Sequence, residues 1–388
     1  MITRPAEPGS LLGHSVTRRN FGRVATLLTA GATLPFYNER ALAQLSMVRD
    51  IPADAVKINA NENPLGPCPE AAEAIRKVVT NGGRYMYETE FEMAQMLAEI
   101  EGLKFSYDPE QSYVLPFAGS SEPLHCMVVA NCSEDRPFVV ADPGYEAGAR
   151  AAAFVGAKVI NVPLTGEAKT HDVKAMVAAH PTPGIIYICN PNNPTGTVTS
   201  RADIEWAVTN QPKGSIVLLD EAYVHFAKKT DRNSHLVAVD KNVVILRTFS
   251  KLYGMAGLRA GAALGRPDLL AGLRKYTAGA LPITGMVGAT TSLKTKGLIE
   301  QRQAYMTGVR DDVFEFLSKN DIEFVPSDAN MFMMNAKRPG KMFGAAMAKE
   351  KVYVGRVWPI WPTWVRVSVG TKEEMARFKQ ACSKCYAA

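Results

Sequence analysis

The chain has 388 residues, 47% of them hydrophobic and 21% charged, which excludes a disordered polymer and suits two packed units around a large core. The formal net charge is +6. Residues 1–43 supply +3 of it through Arg4, Arg18, Arg19, Arg23 and Arg40 against Glu7 and Glu39, and the other +3 forms no long basic run, so a nucleic-acid partner is not expected.

In chain order, residues 1–43 read as a twin-arginine export signal. Arg18-Arg19 sits in Thr17-Arg18-Arg19-Asn20-Phe21-Gly22-Arg23, an apolar run covers 24–34, and Ala41-Leu42-Ala43 is a small-x-small cleavage site. The run is too short to span a bilayer. Export to the periplasm without stable membrane anchoring is the expectation, with the mature protein beginning near Gln44. Residues 59–67 are polar, and their Pro and Gly forbid regular structure. Helices are predicted at 70–79 and 90–102. Apolar, β-branched runs at 138–141, 158–162, 185–189, 216–219, 243–246 and 260–264 then alternate with helical stretches at 145–155, 171–179 and 201–209. This alternation is the signature of an α/β fold with a mostly parallel sheet covered on both faces. A long helical stretch at 284–317 and short strands at 322–325, 331–334, 352–354 and 365–369 read as a smaller α+β domain.

Several constellations fall at the ends of predicted strands, where open α/β sheets bind ligands. Gly119-Ser120-Ser121 follows the apolar run 114–117 and opens a helix, whose free N–H groups suit an anion; taken alone, it reads first as a capped helix. Tyr145 follows the strand at 138–141, placed to stack on a planar ligand or to pack in the core. Asn193 lies in Asn190-Pro191-Asn192-Asn193-Pro194-Thr195-Gly196, a proline-locked loop. Asp220 closes a strand of Val and Leu, where burial demands a partner; Tyr223 follows it. Ser250-Lys251 and Arg259 lie in the segment Leu246 to Arg259. A lysine there can hold a phosphorylated aldehyde as a Schiff base, Ser250 and Arg259 can hold its phosphate, and Asp220 can pair with a pyridinium nitrogen. Cys382 and Cys385 have no second pair, so a zinc site is not expected and a disulfide stays open.

From residue 57 onward the chain resembles the fold-type I pyridoxal-phosphate aminotransferases, in particular the histidinol-phosphate aminotransferase group. The resemblance rests on NANENPLGP, NPNNPTG, LLDEAY, RTFSK, AGLRAG and VRVSVGT. It implies a seven-stranded, mostly parallel sheet between helices in a large domain at 81–278. An arm at 44–80 would join a small domain at 279–388. It further implies pyridoxal 5′-phosphate on Lys251, which would also shuttle the proton. Asp220 would meet the ring nitrogen, Asn193 and Tyr223 the ring oxygen, and Tyr145 the ring face. Ser120, Ser121, Ser250 and Arg259, helped by Thr248, would bind the phosphate. Tyr85 would reach the phosphate of the neighbouring subunit, making the protein a homodimer. Arg366 would hold the substrate acid group beside Asn330, and Arg356 lies in the region, shorter in this chain, where the biosynthetic enzymes of the group carry an arginine for a substrate phosphate, with its register left open. The implied reaction moves an amino group from an L-amino acid or related amine to a 2-oxo acid. Decarboxylation, cyclisation or oxidation on the same fold, and histidinol-phosphate transamination proper, are the alternatives. The chain has Met86 where the group has proline after Arg-Tyr, and Trp358, Trp361 and Trp364 crowd the segment ahead of Arg366. These tryptophans either line a side-chain pocket or pack within the small domain.

Overall fold

Runs of buried aliphatic residues become strands. The computed structural model describes residues 51–227, 232–277 and 279–387. The residues of the export signal lie outside them. The strands are β1 (Val56–Ile58), β2 (Val114–Phe117), β3 (Phe138–Asp142), β4 (Val159–Pro163), β5 (Ile185–Cys189), β6 (Ile216–Asp220), β7 (Val243–Thr248), β8 (Gly261–Gly265), β9 (Phe324–Val325), β10 (Met331–Asn335), β11 (Val352–Val354) and β12 (Trp364–Ser368). Seven of them form one sheet in the order β2-β8-β7-β6-β5-β3-β4, in which β8 runs antiparallel to both β2 and β7 while the remaining pairs are parallel.

The central strands β5, β6 and β7 are buried at every residue, as expected where helices cover both faces and no polar alternation is needed. The pleat still sorts the side chains: Ile185, Tyr187 and Cys189 join one apolar cluster, Ile186 and Ile188 the other. Edge strand β4 is only partly buried. Two smaller sheets complete the fold: β12-β10-β9, all antiparallel, and the parallel pair β1-β11.

The helix boundaries follow local chemistry. Glu88–Glu101 ends at Gly102, whose left-handed φ of 67° closes the C-terminus. The long helical stretch expected at 284–317 is two helices, Ile283–Lys294 and Leu298–Lys319, divided at Gly297 with φ 73°. The strand expected at 322–325 shortens to Phe324–Val325, because the Ile322 N–H donates to Leu317 O and belongs to the helix terminus. No helix among the described residues is long and apolar enough to cross a membrane.

Candidate active site

The parallel strands end in register, with Cys189 beside Asp220 and Asp220 beside Leu246. Past those ends opens a cavity of about 460 Å³. Ser120, Ser121, Tyr145, Asn193, Asp220, Tyr223, Thr248, Ser250, Lys251, Arg259, Arg356 and Arg366 all line it. Residues scattered over the sequence from 120 to 366 are thus gathered at one place. Tyr85 and Asn330 are not among the lining residues: Tyr85 is 69% exposed, and Asn330 is fully buried.

One wall is an anion cradle. Gly119, at φ 95°, turns the chain into the helix Ser121–Asn131, and a Cβ there would lie 2.3 Å from Arg259 Nη2, so only glycine admits the guanidinium. Arg259 donates to Ala118 O at 2.9 Å, to Ala256 O at 2.8 Å and to Ser250 Oγ at 3.2 Å. Thr248 Oγ1 donates to Ser250 Oγ at 3.0 Å. Helix N–H groups, two hydroxyls and a guanidinium therefore converge, a set that suits a phosphate.

The floor carries Asp220, 3% exposed. Its carboxylate accepts from Tyr187 Oη at 2.8 Å and from the Ala222 N–H at 3.1 Å. Burial pushes its pKa up to about 6, against those hydrogen bonds and the charge of Lys251. A carboxylate so desolvated is a strong partner for a protonated ring nitrogen. Lys251 Nζ donates to Asn61 O at 3.3 Å and lies 5.6 Å from the centre of the Tyr223 ring. Its loop is pinned from the N-terminal side, for at Gly254 (φ 69°) a Cβ would meet Gly66 O at 2.1 Å. Tyr223 Oη accepts from Asn61 Nδ2 at 3.2 Å, and burial raises its phenol pKa.

The opposite wall comes from the small sheet. Arg366, on β12, is 2% exposed. It donates to Asn193 Oδ1 at 2.9 Å and to Asn59 O at 2.8 Å, while its Nε has no hydrogen-bond partner. Burial, and then the neighbouring charge of Arg356, lower its pKa to about 9. A buried guanidinium held by neutral acceptors is set to receive a carboxylate. Arg356 lies 3.0 Å from Glu146, and the guanidinium carbons of Arg356 and Arg366 sit 5.1 and 5.7 Å from the Trp358 ring centre. Of the two readings of the tryptophans, the structure adopts packing. Trp358 is 3% exposed, its Nε1 donates to Gly144 O at 3.0 Å, and Trp361 and Trp364 pack against its cluster rather than on the cavity. Asn330 Nδ2 donates to Asn61 O and Glu62 O at 3.3 and 3.2 Å, which fixes the backbone beneath Lys251, while its Oδ1 has no hydrogen-bond partner.

Reading the sequence did not single out Asn59, Asn61, Tyr187 or Glu146. The asparagines alternate in an extended, polar stretch, and Tyr187 is the one hydroxyl in an otherwise aliphatic strand run; both were available signals. The described residues contain no group of three or more His, Cys, Asp or Glu side chains arranged to hold a metal.

The family model for aminotransferase class I and II matches residues 53–381. The chain belongs to the class I and II aminotransferases. A histidinol-phosphate aminotransferase of Symbiobacterium thermophilum is 34% identical over 340 residues, covering 84% of this chain and 90% of its own. An aromatic amino acid aminotransferase of Cutibacterium acnes is 30% identical over 338 residues, covering 85% and 92%. The solved histidinol-phosphate aminotransferase of Sinorhizobium meliloti in complex with pyridoxal 5′-phosphate shares the fold, with a TM-score of 0.78 at 23% identity over 92% of this chain and 96% of that one. The aminotransferase described here thus has relatives named for two different amino donors.

Proposed function

We propose that this aminotransferase uses pyridoxal 5′-phosphate to move an amino group from an L-amino acid to a 2-oxo acid in two alternating half-reactions. The observation that carries the reading is a single cavity holding Lys251, the buried Asp220 and the carboxylate-seeking Arg366 around a phosphate cradle. The residues fit the cofactor: the cradle takes the phosphate, Asp220 takes the ring nitrogen, and Tyr145 offers a ring face. When bound, the cofactor supplies an aldehyde and an electron sink.

Arg366 binds the donor carboxylate and so fixes which face of Cα is presented. Lys251 would hold the cofactor through its amine, and that amine, when free, would carry the substrate Cα proton as general base and acid. Asp220 would meet the ring nitrogen and favour its protonated form. Asn193 turns its amide oxygen to Arg366, which leaves the amide nitrogen for the ring oxygen alongside Tyr223. The same groups run in reverse on the 2-oxo acid.

The test is an absorption titration of the cofactor-loaded protein with single L-amino acids and histidinol phosphate, without any keto acid. Loss of the aldehyde-state band with stoichiometric keto product is expected. Release of CO2 or uptake of O2 in place of keto product would move the protein to the decarboxylase or oxidase branch.

We further propose that the protein acts after export: fractionation should recover it from the periplasm, and Arg18→Lys with Arg19→Lys should retain it in the cytoplasm. It also acts as a homodimer. Exposed Tyr85 and Tyr87 stack at 5.5 Å, and the half-exposed Phe91 follows on the same segment; such an aromatic group suits a second copy that Tyr85 would enter. Sedimentation should give a dimer, and Tyr85→Ala should weaken cofactor retention.

A further inference from the structure

Arg356 stands on the cavity wall as the natural receiver for a second acidic group on the substrate. Its surroundings argue otherwise. Its side chain is only 8% exposed, and Glu146 Oε2 sits 3.0 Å from its Nη1. Glu146 follows Tyr145 directly and occupies the N-cap position of the helix Ala147–Phe154 without a side-chain capping hydrogen bond, so its carboxylate turns to Arg356 instead. The geometry is held from the other side too. Trp358 anchors its indole to Gly144 O, two residues before Glu146, and presents its ring to Arg356 at 5.1 Å. The guanidinium therefore lies between an aromatic face and a carboxylate, held by charge at ion-pair distance and not by a hydrogen bond, since Glu146 Oε2 and Arg356 Nε and Nη1 have no hydrogen-bond partner.

The charge count follows. On this wall Arg366 has neutral acceptors only, whereas Arg356 is already neutralised. Glu62, exposed where it lines the cavity, adds another negative charge. One substrate carboxylate satisfies Arg366. A second anionic group would have to displace Glu146 and leave that carboxylate half-buried and unpaired, which is unfavourable.

We propose that Glu146 is a positioning residue that holds Arg356 away from substrate and so makes the cavity select amino donors with one acidic group over dicarboxylic or phosphorylated ones. This rests on the reading of Arg366 as the carboxylate anchor, and the experiment separates the two. Butanoate and succinate, matched in chain length, are titrated into the cofactor-loaded protein and followed by the cofactor absorbance. Wild type should bind butanoate at least as tightly as succinate. Glu146→Gln should tighten succinate about tenfold and leave butanoate within about twofold, and adding Arg356→Gln should abolish the gain. In turnover, Glu146→Gln should lower KM for a dicarboxylic donor with little change in kcat. Should Glu146→Gln fail to fold, Arg356→Gln alone decides the matter: the succinate-to-butanoate ratio should stay within about twofold of wild type, because Arg356 was not available to the ligand. A wild type that prefers succinate tenfold, a ratio unmoved in Glu146→Gln, or a ratio that collapses in Arg356→Gln would overturn the proposal. Arg366→Gln tests the underlying reading separately, since failure to weaken butanoate would remove the anchor while leaving the Glu146–Arg356 ion pair in place.

Discussion

Asp220 and Glu221 are consecutive, both carboxylates and both buried, at 3% and 1% exposure, yet they belong to opposite kinds of charge cluster. Glu221 accepts from Arg247 and from Asn233 Nδ2 at 2.7 Å, and Arg247 also bonds Glu101 at 3.1 and 3.2 Å. Arg232 adds a weaker contact to Glu101 at 3.4 Å. In that cluster two carboxylates face two guanidinium groups, and the charges complete one another. Asp220 opens instead onto the cavity, whose far wall carries Arg366 with an unpartnered Nε. A closed set of buried charges holds strands and helices in place; an open set holds a position for groups that arrive from outside.

The largest effects should divide along this line. Lys251→Ala should reduce transamination by at least about 10³-fold, since it removes the cofactor attachment and the proton carrier together. Urea unfolding of the cofactor-free protein should barely change. Arg247→Met should do the reverse. It strands Glu101 and Glu221 in the interior and should cost about 3–5 kcal/mol in urea unfolding, while the protein that remains folded keeps its KM. Full stability in Arg247→Met would mean that the closed cluster is not structural, and the comparison would fail there.

Acid and base should distinguish the two clusters next. Burial alone would raise the Glu101 pKa, but the charge and hydrogen bonds of Arg247, with Arg232, outweigh it and hold the value at about 2, below the ordinary 4.5. A depressed native pKa gives stability that is present above pH 4.5 and is lost as the pH falls toward 2. Asp220 has the opposite sign. Burial raises it from 3.8 to about 6, so the folded cofactor-free protein binds the proton more tightly than the unfolded chain. Stability is then lost as the pH rises from about 4 through 6. Each difference corresponds to about 3 kcal/mol by linkage. Cofactor-free wild type and Asp220→Asn should be compared by urea unfolding at pH 4.5 and 7. The advantage of the asparagine variant should be larger at pH 7, and loading wild type with cofactor should remove most of it. An advantage of equal size at both pH values would show that Asp220 does not titrate in this window.

These clusters also mark how far the sequence could be read. The sheet was legible because β5, β6 and β7 are nearly unbroken aliphatic runs, and Asp220 stood out as the charge that ends one of them. Lys251, Arg259 and Ser120 lie beside turns and helix starts whose local chemistry shows in a few residues. Partnerships across long distances left no such trace. Asn61 meets Tyr223 over 162 positions and Arg366 meets Asn59 over 307, so nothing near either residue reports the contact. Glu146 likewise is one acidic residue among many at a helix start, and only the fold brings Arg356 against it. The tryptophans left two readings open because an aromatic cluster has the same composition whether it faces a ligand or a core.

Trp358 gives the smallest and most specific test, because it joins the open cluster to the scaffold. Its ring lies near both guanidinium groups and its indole N–H satisfies Gly144 O at 3.0 Å. Phenylalanine keeps an aromatic face but loses the donor and the stronger π surface. Trp358→Phe should therefore cost only about 1 kcal/mol of stability. The loop carrying Tyr145 and Glu146 keeps its ion pair with Arg356 but loses its anchor at Gly144 O, so KM for the amino donor should rise severalfold with kcat nearly unchanged. A fall in kcat at constant KM would instead place Trp358 in the chemical step, and the division between a closed scaffold and an open binding wall would have to be redrawn around it.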